Sequence, residues 1–174
     1  MILRPIQSND NVKLISSGSP EAHPLKLFLQ NDALEYHQKE ITKTYVLIEP
    51  EDINNRVWGY ISLMSSEIKL NGDQKPKEPD SAKKYKSFPA VKIARLLVDK
   101  RKQKNGYGKM MLDWSVSHIR LAIMPHIGCR FLAVDSKKGT INFYEKHGFV
   151  LLDSEDNLKE EQPLMFLDLH KLPI

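Results

Sequence analysis

From Pro24 onward, the apolar residues Leu25, Phe28, Leu29, Ala33 and Tyr36 recur at the i, i+3, i+4, i+8 spacing of one helix face. With a proline in the first turn, this spacing predicts a helix over 24–39. Strand chemistry comes in short runs. The run 2–6 is β-capable, and 44–48 and 57–64 are β-branched and aromatic on either side of a polar turn, which predicts an antiparallel pair. The next strand is 91–98, and a glycine-punctuated segment then leads into an apolar-rich helix, 110–119, ended by Pro125 and Gly128. A strand over 129–134, a short helix over 140–147 stopped by Gly148, and strands over 149–152 and 164–167 complete the order β-α-β-β-β-α-β-α-β-β. That order predicts an α/β fold with a mixed sheet. The segment 71–88 carries Gly72, Pro76, Pro79 and many charges, so it reads as a long loop without a regular element.

A chain of 174 residues fits one domain, and we expect a single domain spanning 1–174. Cys129 is the only cysteine, which excludes an internal disulfide framework and a zinc site of paired cysteines. No run approaches the ~18 apolar residues of a membrane span, and the start has no cleavable leader pattern. The expectation is a cytoplasmic protein that makes no membrane contact. The net charge of +4 is unevenly placed: twelve Lys/Arg face four Asp/Glu between Asn71 and Lys109, a local balance of +8 that leaves the remainder at −4. Such a stretch either meets a polyanion or is a solvated lysine-rich surface.

The run Gln103-Lys104-Asn105-Gly106-Tyr107-Gly108 lies between a strand and a helix. The first N–H groups of a helix lack partners and the dipole places partial positive charge there, so this layout suits an anion. Gly106 and Gly108 allow positive φ and close approach of a phosphate to the backbone. Gly-Lys-Ser/Thr is missing, which excludes a nucleotide P-loop, and the dinucleotide-binding Gly-x-Gly-x-x-Gly is missing as well.

Arg95-Leu96-Leu97-Val98-Asp99, then Gln103-x-x-Gly106-x-Gly108, then Phe143-Tyr144-x-x-x-Gly148-Phe149 resemble the GNAT superfamily of N-acetyltransferases across residues 91–150. Both the acetyl-CoA motif, Gln/Arg-x-x-Gly-x-Gly/Ala, and the Phe-Tyr-x-x-x-Gly-Phe motif are matched. Leu25-x-x-Phe28-Leu29-x-x-x-Ala33 and the segments 59–63 and 94–98 are similar to the subgroup that includes toxins of toxin-antitoxin pairs, which acetylate the amino acid carried by tRNA. One departure is Lys137, where common members carry an asparagine that touches the cofactor.

The resemblance implies acetyl-CoA as cosubstrate and no metal. It places the pyrophosphate on the backbone of Gln103, Lys104, Asn105, Gly106, Tyr107, Gly108 and Lys109, with Lys102, Lys104 and Lys109 adding charge. Leu97 and Val98 would pair with the pantetheine arm and offer an N–H to the acetyl oxygen. Tyr144 is the implied general acid, because a phenol of pKa about 10 stays protonated at neutral pH and can donate to a thiolate. No base stands out; Glu67, His118 and His147 are weaker candidates. An α-amine near 7.7–8.0 needs little help, whereas a lysine ε-amine at about 10.4 must give up roughly 4.6 kcal/mol of proton affinity, so α-amines are slightly favoured. An aminoacyl-tRNA is the implied acceptor, with an antitoxin protein and a second copy of the chain as further partners to consider. A small-molecule amine, a protein amine, or a non-catalytic acyl-CoA-binding module are the alternatives. Trp114 and Met110 read as core residues, and Cys129 lacks the partners of a nucleophile.

Overall fold

The computed structural model describes residues 1–172. Its strands are β1 (Ile2–Pro5), β2 (Lys43–Ile48), β3 (Val57–Lys69), β4 (Ser87–Val98), β5 (Phe131–Asp135), β6 (Val150–Leu151) and β7 (Leu164–Asp168). They form a mixed sheet in the order β1-β2-β3-β4-β5-β7-β6. The helices are α1 (His23–Asn31), α2 (Ala33–Gln38), α3 (Tyr107–His118), α4 (Ile141–Glu145) and α5 (Glu155–Lys159). Two compact units divide the chain, one built from Met1–Met64 and Ile93–Ser115, the other from Ser65–Lys92 and the residues after Ser115. Among the described residues, no helix is long and apolar enough to cross a membrane.

In the first unit β1 and β2 are antiparallel, with Ile2 opposite Ile48 and Pro5 opposite Tyr45. The expected pairing of β2 with β3 is present and antiparallel, with a register shift between Leu47 and Ile48. Phe28, Leu29 and Ala33 are buried against Val46, Ile48 and Tyr60. Each such large side chain contributes about 1.5–3 kcal/mol when removed from water. The Tyr60 hydroxyl donates to the Leu25 carbonyl at 2.7 Å, and the Arg95 guanidinium lies 3.6 Å from the centre of the Phe28 ring. The helix expected over 24–39 is two helices that meet at Asp32, whose φ of −119° departs from helical geometry. The ladder survives the distortion: the Asp32 N–H donates to Phe28 and the Tyr36 N–H to Asp32, both at 2.9 Å. Aspartate is among the poorer helix-interior residues, so the break falls there within a continuous apolar face, although its side chain makes no capping bond.

The second unit buries Ile68, Leu70, Phe88, Ala90, Phe131 and Phe166 in one cluster. Here β3 runs five residues beyond the expected end, because Ile68 and Leu70 continue the alternation that buries one face. β4 begins at Ser87, before the expected start, despite Pro89. Proline has no N–H to give, but the Pro89 carbonyl still accepts from the Arg130 N–H at 2.9 Å, and Phe88 and Ala90 on either side are buried. The segment 71–88, expected to be irregular, contains short 3₁₀ turns at Gly72–Gln74 and Asp80–Lys84. α5 was not expected; Ser154 caps it by accepting from the Asn157 N–H.

Asp99 ties the end of β4 to distant chain in the first unit. Its N–H donates to the Trp58 carbonyl at 2.8 Å. Its fully buried carboxylate accepts from the Ser16 N–H at 2.9 Å, the Arg101 N–H at 2.9 Å and the Arg101 guanidinium at 2.6 and 2.8 Å. Burial by itself pushes this carboxyl up, but the Arg101 side chain and the two backbone N–H groups together hold it below the ordinary carboxylate range. The stability it supplies is therefore complete above the unfolded-state pKa and is lost as pH falls through the folded value. Asp99→Asn sets an NH₂ group against donors and should cost about 2 kcal/mol at pH 7, roughly 4–8 °C in Tm. Thermal melts between pH 7 and pH 3 should show the gap to wild type closing in acid; a pH-independent gap would contradict the ionised-carboxylate account.

Candidate functional site

The sequence-predicted cofactor residues fall together at the end of β4 and the start of α3, all in the first unit. Leu97 and Val98 are buried at the strand end. Gly59 of β3 lies against them: a Cβ there would stand 2.8 Å from the Leu97 carbonyl oxygen, closer than any side chain tolerates. After Val98 the chain makes a 3₁₀ turn at Lys100–Lys102, and the Gln103 side-chain amide donates to the Val98 carbonyl at 3.0 Å. The glutamine that opens the motif thus closes the turn through its side chain. Lys104 and Gly106 have φ of +63° and +80°. The glycine takes this conformation freely, and a Cβ on it would meet open space, so its role is conformational. For Lys104 the left-handed region is strained by about 1 kcal/mol or more, the kind of strain that clusters at ligand sites.

α3 begins at Tyr107, and its first helical bond runs from the Met110 N–H to the Gly106 carbonyl at 3.0 Å. The N–H groups of Tyr107, Gly108 and Lys109 precede that bond and have no acceptor within the helix. Gln103, Lys104, Asn105 and Gly106 are exposed beside them, so an anion can reach these donors from water. The lysines differ in availability. Lys109 pairs with Asp113, and Lys102 pairs with Glu49 at 3.2 Å while lying 4.5 Å from the Trp58 ring centre. Among the described residues Lys104 makes no ion pair. Trp58 is also approached by Arg56 at 4.1 Å and Arg101 at 5.3 Å, a cationic surround that sequence reading missed because these residues come from different segments. The polar stretch before α1 was likewise passed over: the Ser16–Pro20 segment, His23 and Lys100 line an open hollow of about 520 Å³.

Tyr144 belongs to the second unit, on α4, and is almost fully buried. Its ring meets Phe143 and Phe149 edge to face at 5.1 and 5.3 Å. Burial pushes the phenol well above its ordinary pKa, so the group is protonated across the physiological range. The Tyr144 carbonyl accepts from the N–H groups of His147 and Phe149, and Gly148 turns the chain with φ of +85°. Motif residues Phe143 to Phe149 therefore hold one another in place. Lys137 opens the turn into α4, its carbonyl accepting from the N–H and hydroxyl of Thr140.

The candidate bases are scattered in character. Glu67 is exposed on β3, the His147 ring packs on Phe143 at 4.8 Å, and burial lowers the pKa of His118. Cys129 is buried, its thiol is pushed up by burial, and its sulfur donates weakly to the Phe131 carbonyl, which suits packing rather than nucleophilic chemistry. Trp114 is half-buried and meets Tyr45 at 4.4 Å between ring centres. Among the described residues no cluster of three or more His, Cys, Asp or Glu side chains is arranged to hold a metal ion.

A family model described as an acetyltransferase (GNAT) domain matches residues 44–151, more than half of the chain. Solved structures of similar fold include a tyrosine-to-phenylalanine mutant of KacT, with a TM-score of 0.81 at 22% identity, covering 97% of this chain and 95% of that one. AtaT complexed with acetyl-methionyl-tRNAfMet gives 0.80 at 21% identity over 97% and 95%. AtaTR bound with AcCoA gives 0.77 at 21% over 97% and 94%. These likenesses concern the fold, while the family match falls on the strand end, the glycine loop and the tyrosine helix whose geometry is described above. The chain belongs to the GNAT acetyltransferases.

Proposed function

We propose that residues 1–174 act as one cytoplasmic N-acetyltransferase domain that moves an acetyl group from acetyl-CoA to the α-amino group of an aminoacyl-tRNA, in the manner of a toxin. The observation that carries the acetyl-CoA reading is the sequence of parts from Leu97 to Lys109: a strand end, a positive-φ glycine, and a helix start whose first N–H groups have no acceptor within the helix. Supporting the acceptor is the likeness over nearly the whole chain to a protein solved with acetyl-methionyl-tRNAfMet. An antitoxin is the proposed protein partner, since AtaT was solved with the C-terminus of AtaR and KacTA as a complex with DNA.

The reading assigns the pyrophosphate to the backbone of Gln103 through Lys109 and the pantetheine arm to Leu97 and Val98, one of whose N–H groups faces the acetyl oxygen. The neutral amine attacks the thioester carbonyl, the oxyanion takes that hydrogen bond, and collapse breaks the carbon–sulfur bond. Tyr144 gives its proton to the departing thiolate. A phenolate left in so apolar a setting is unstable, so the proton released by the acylated amine returns to it. One proton leaves the amine and one reaches the thiolate, and the tyrosine ends as it began. This closed cycle requires no strong base and favours an acceptor already partly neutral at pH 7.

Gly108→Glu places a side chain and a negative charge at the helix start. Wild type should gain roughly 2.7 kcal/mol from acetyl-CoA held at about a hundred times its Kd, and the variant should gain none. Unchanged calorimetric binding would remove the loop assignment.

Tyr144→Phe keeps the ring contacts and deletes the donor, so turnover should fall about 10²-fold with acetyl-CoA affinity preserved. In wild type, kcat/KM should rise with pH through about 8 as the α-amine loses its proton. It should show no alkaline fall below about pH 9, because burial raises the tyrosine pKa. Full activity in Tyr144→Phe would exclude it as the acid.

A further inference from the structure

Within the second unit, the segment after β3 is seated rather than free. The Gln74 side chain donates to the Leu151 carbonyl and accepts from the Asp153 N–H, both at 2.9 Å, so both ends of its amide are engaged. Pro76 and Ala82 are buried, and Ala82 packs with Ile68, Phe88 and Phe131. The turn Asp80–Lys84 is closed by the Ala82 N–H to Pro79 at 2.8 Å and the Tyr85 N–H to Ala82 at 3.0 Å. Lys83 is held by Asp80 at 2.7 Å, and Lys75 reaches the Lys83 carbonyl at 3.1 Å.

What this scaffold presents to water is Lys84-Tyr85-Lys86. Tyr85 is 64% exposed, and among the described residues its ring meets no other ring and its hydroxyl has no hydrogen-bond partner. Among the same residues Lys84, Lys86 and Lys77 form no ion pair. An exposed planar ring whose chain neighbours on an anchored turn are two unpaired lysines matches the two demands of an unpaired nucleotide strand, a face for a base and charge for the flanking phosphates. Paired bases have no free face, which selects a single-stranded segment over a duplex.

We propose that Tyr85 is a stacking platform for an unpaired base of the acceptor RNA, with Lys84 and Lys86 on the adjoining phosphates; the identity of that RNA as tRNA rests on the function proposed above.

The test combines binding of deacylated tRNA, followed by fluorescence anisotropy at several salt concentrations, with acetylation kinetics on aminoacyl-tRNA. Tyr85→Ala should weaken tRNA binding and raise KM for aminoacyl-tRNA by about tenfold, leave KM for acetyl-CoA and kcat at saturation unchanged, and keep the slope of log K against log salt. Tyr85→Trp should restore affinity. Reversing Lys84 and Lys86 to Glu should instead flatten the salt slope. Equal tRNA affinity in Tyr85→Ala and wild type, or no tRNA binding by wild type, overturns the platform. Wild type that binds tRNA in a Tyr85-dependent way but acetylates no aminoacyl-tRNA supports the platform and sinks the acceptor assignment instead.

Discussion

The buried carboxylate of Asp99 is the interaction on which the first unit's glycine loop depends. It gathers the Ser16 N–H and three donors of Arg101, while the neighbouring Lys100 N–H donates to the Ser16 carbonyl at 2.9 Å and Arg101 reaches the Leu14 carbonyl at 2.8 Å. A carboxylate removed from water is tolerated only when its lone pairs are all engaged, so the arrangement holds as a whole or fails as a whole. It fixes where β4 ends, and the Gln103 amide on the Val98 carbonyl fixes how the chain leaves it. Gly59 completes the frame by letting β3 approach the Leu97 carbonyl with no side chain between. The positive-φ residues that follow need such a frame, because their strain is sustained only by surroundings that determine the backbone independently.

Tyr144 obeys the opposite logic. No charged group sets its pKa; burial alone raises it, which keeps the proton on the phenol and, under the proposed mechanism, would make its loss temporary. A phenol of this kind would suit, as the proposed acid, a reaction in which the same turnover supplies a replacement proton. The weakness of the base candidates then agrees with the proposed chemistry, because an α-amine supplies its own neutral fraction at physiological pH.

The basic stretch from Asn71 to Lys109 is less free than its composition implies. Lys83, Lys92, Arg101, Lys102 and Lys109 are all committed to carboxylates, and Arg95 covers the Phe28 ring. Among the described residues, the lysines of this stretch left without a carboxylate are Lys75, Lys77, Lys84 and Lys86 in the segment 71–88 and Lys100 and Lys104 near the glycine loop. Charge counting recognised that a polyanion could be met here, and the pairing geometry narrows where.

By itself the sequence determined the α/β class and the seven strands in their order along the chain, the apolar face of the first helical segment, the β2–β3 pair and the two motifs that mark the family, because periodicity, glycine placement and motif spacing are carried by neighbouring residues. Only the tertiary structure decided that Asp99 would be buried against Ser16, 83 residues away, that Lys102 would be spent on Glu49, and that Gln74 would anchor its loop to the chain around β6. It also decided the break at Asp32 and the longer β3 and β4, where burial of Ile68, Leu70 and Phe88 overrode the local signals of charge and proline. Local pattern registers what a segment prefers next to its neighbours, whereas pairing and desolvation depend on groups that meet only when the chain has folded.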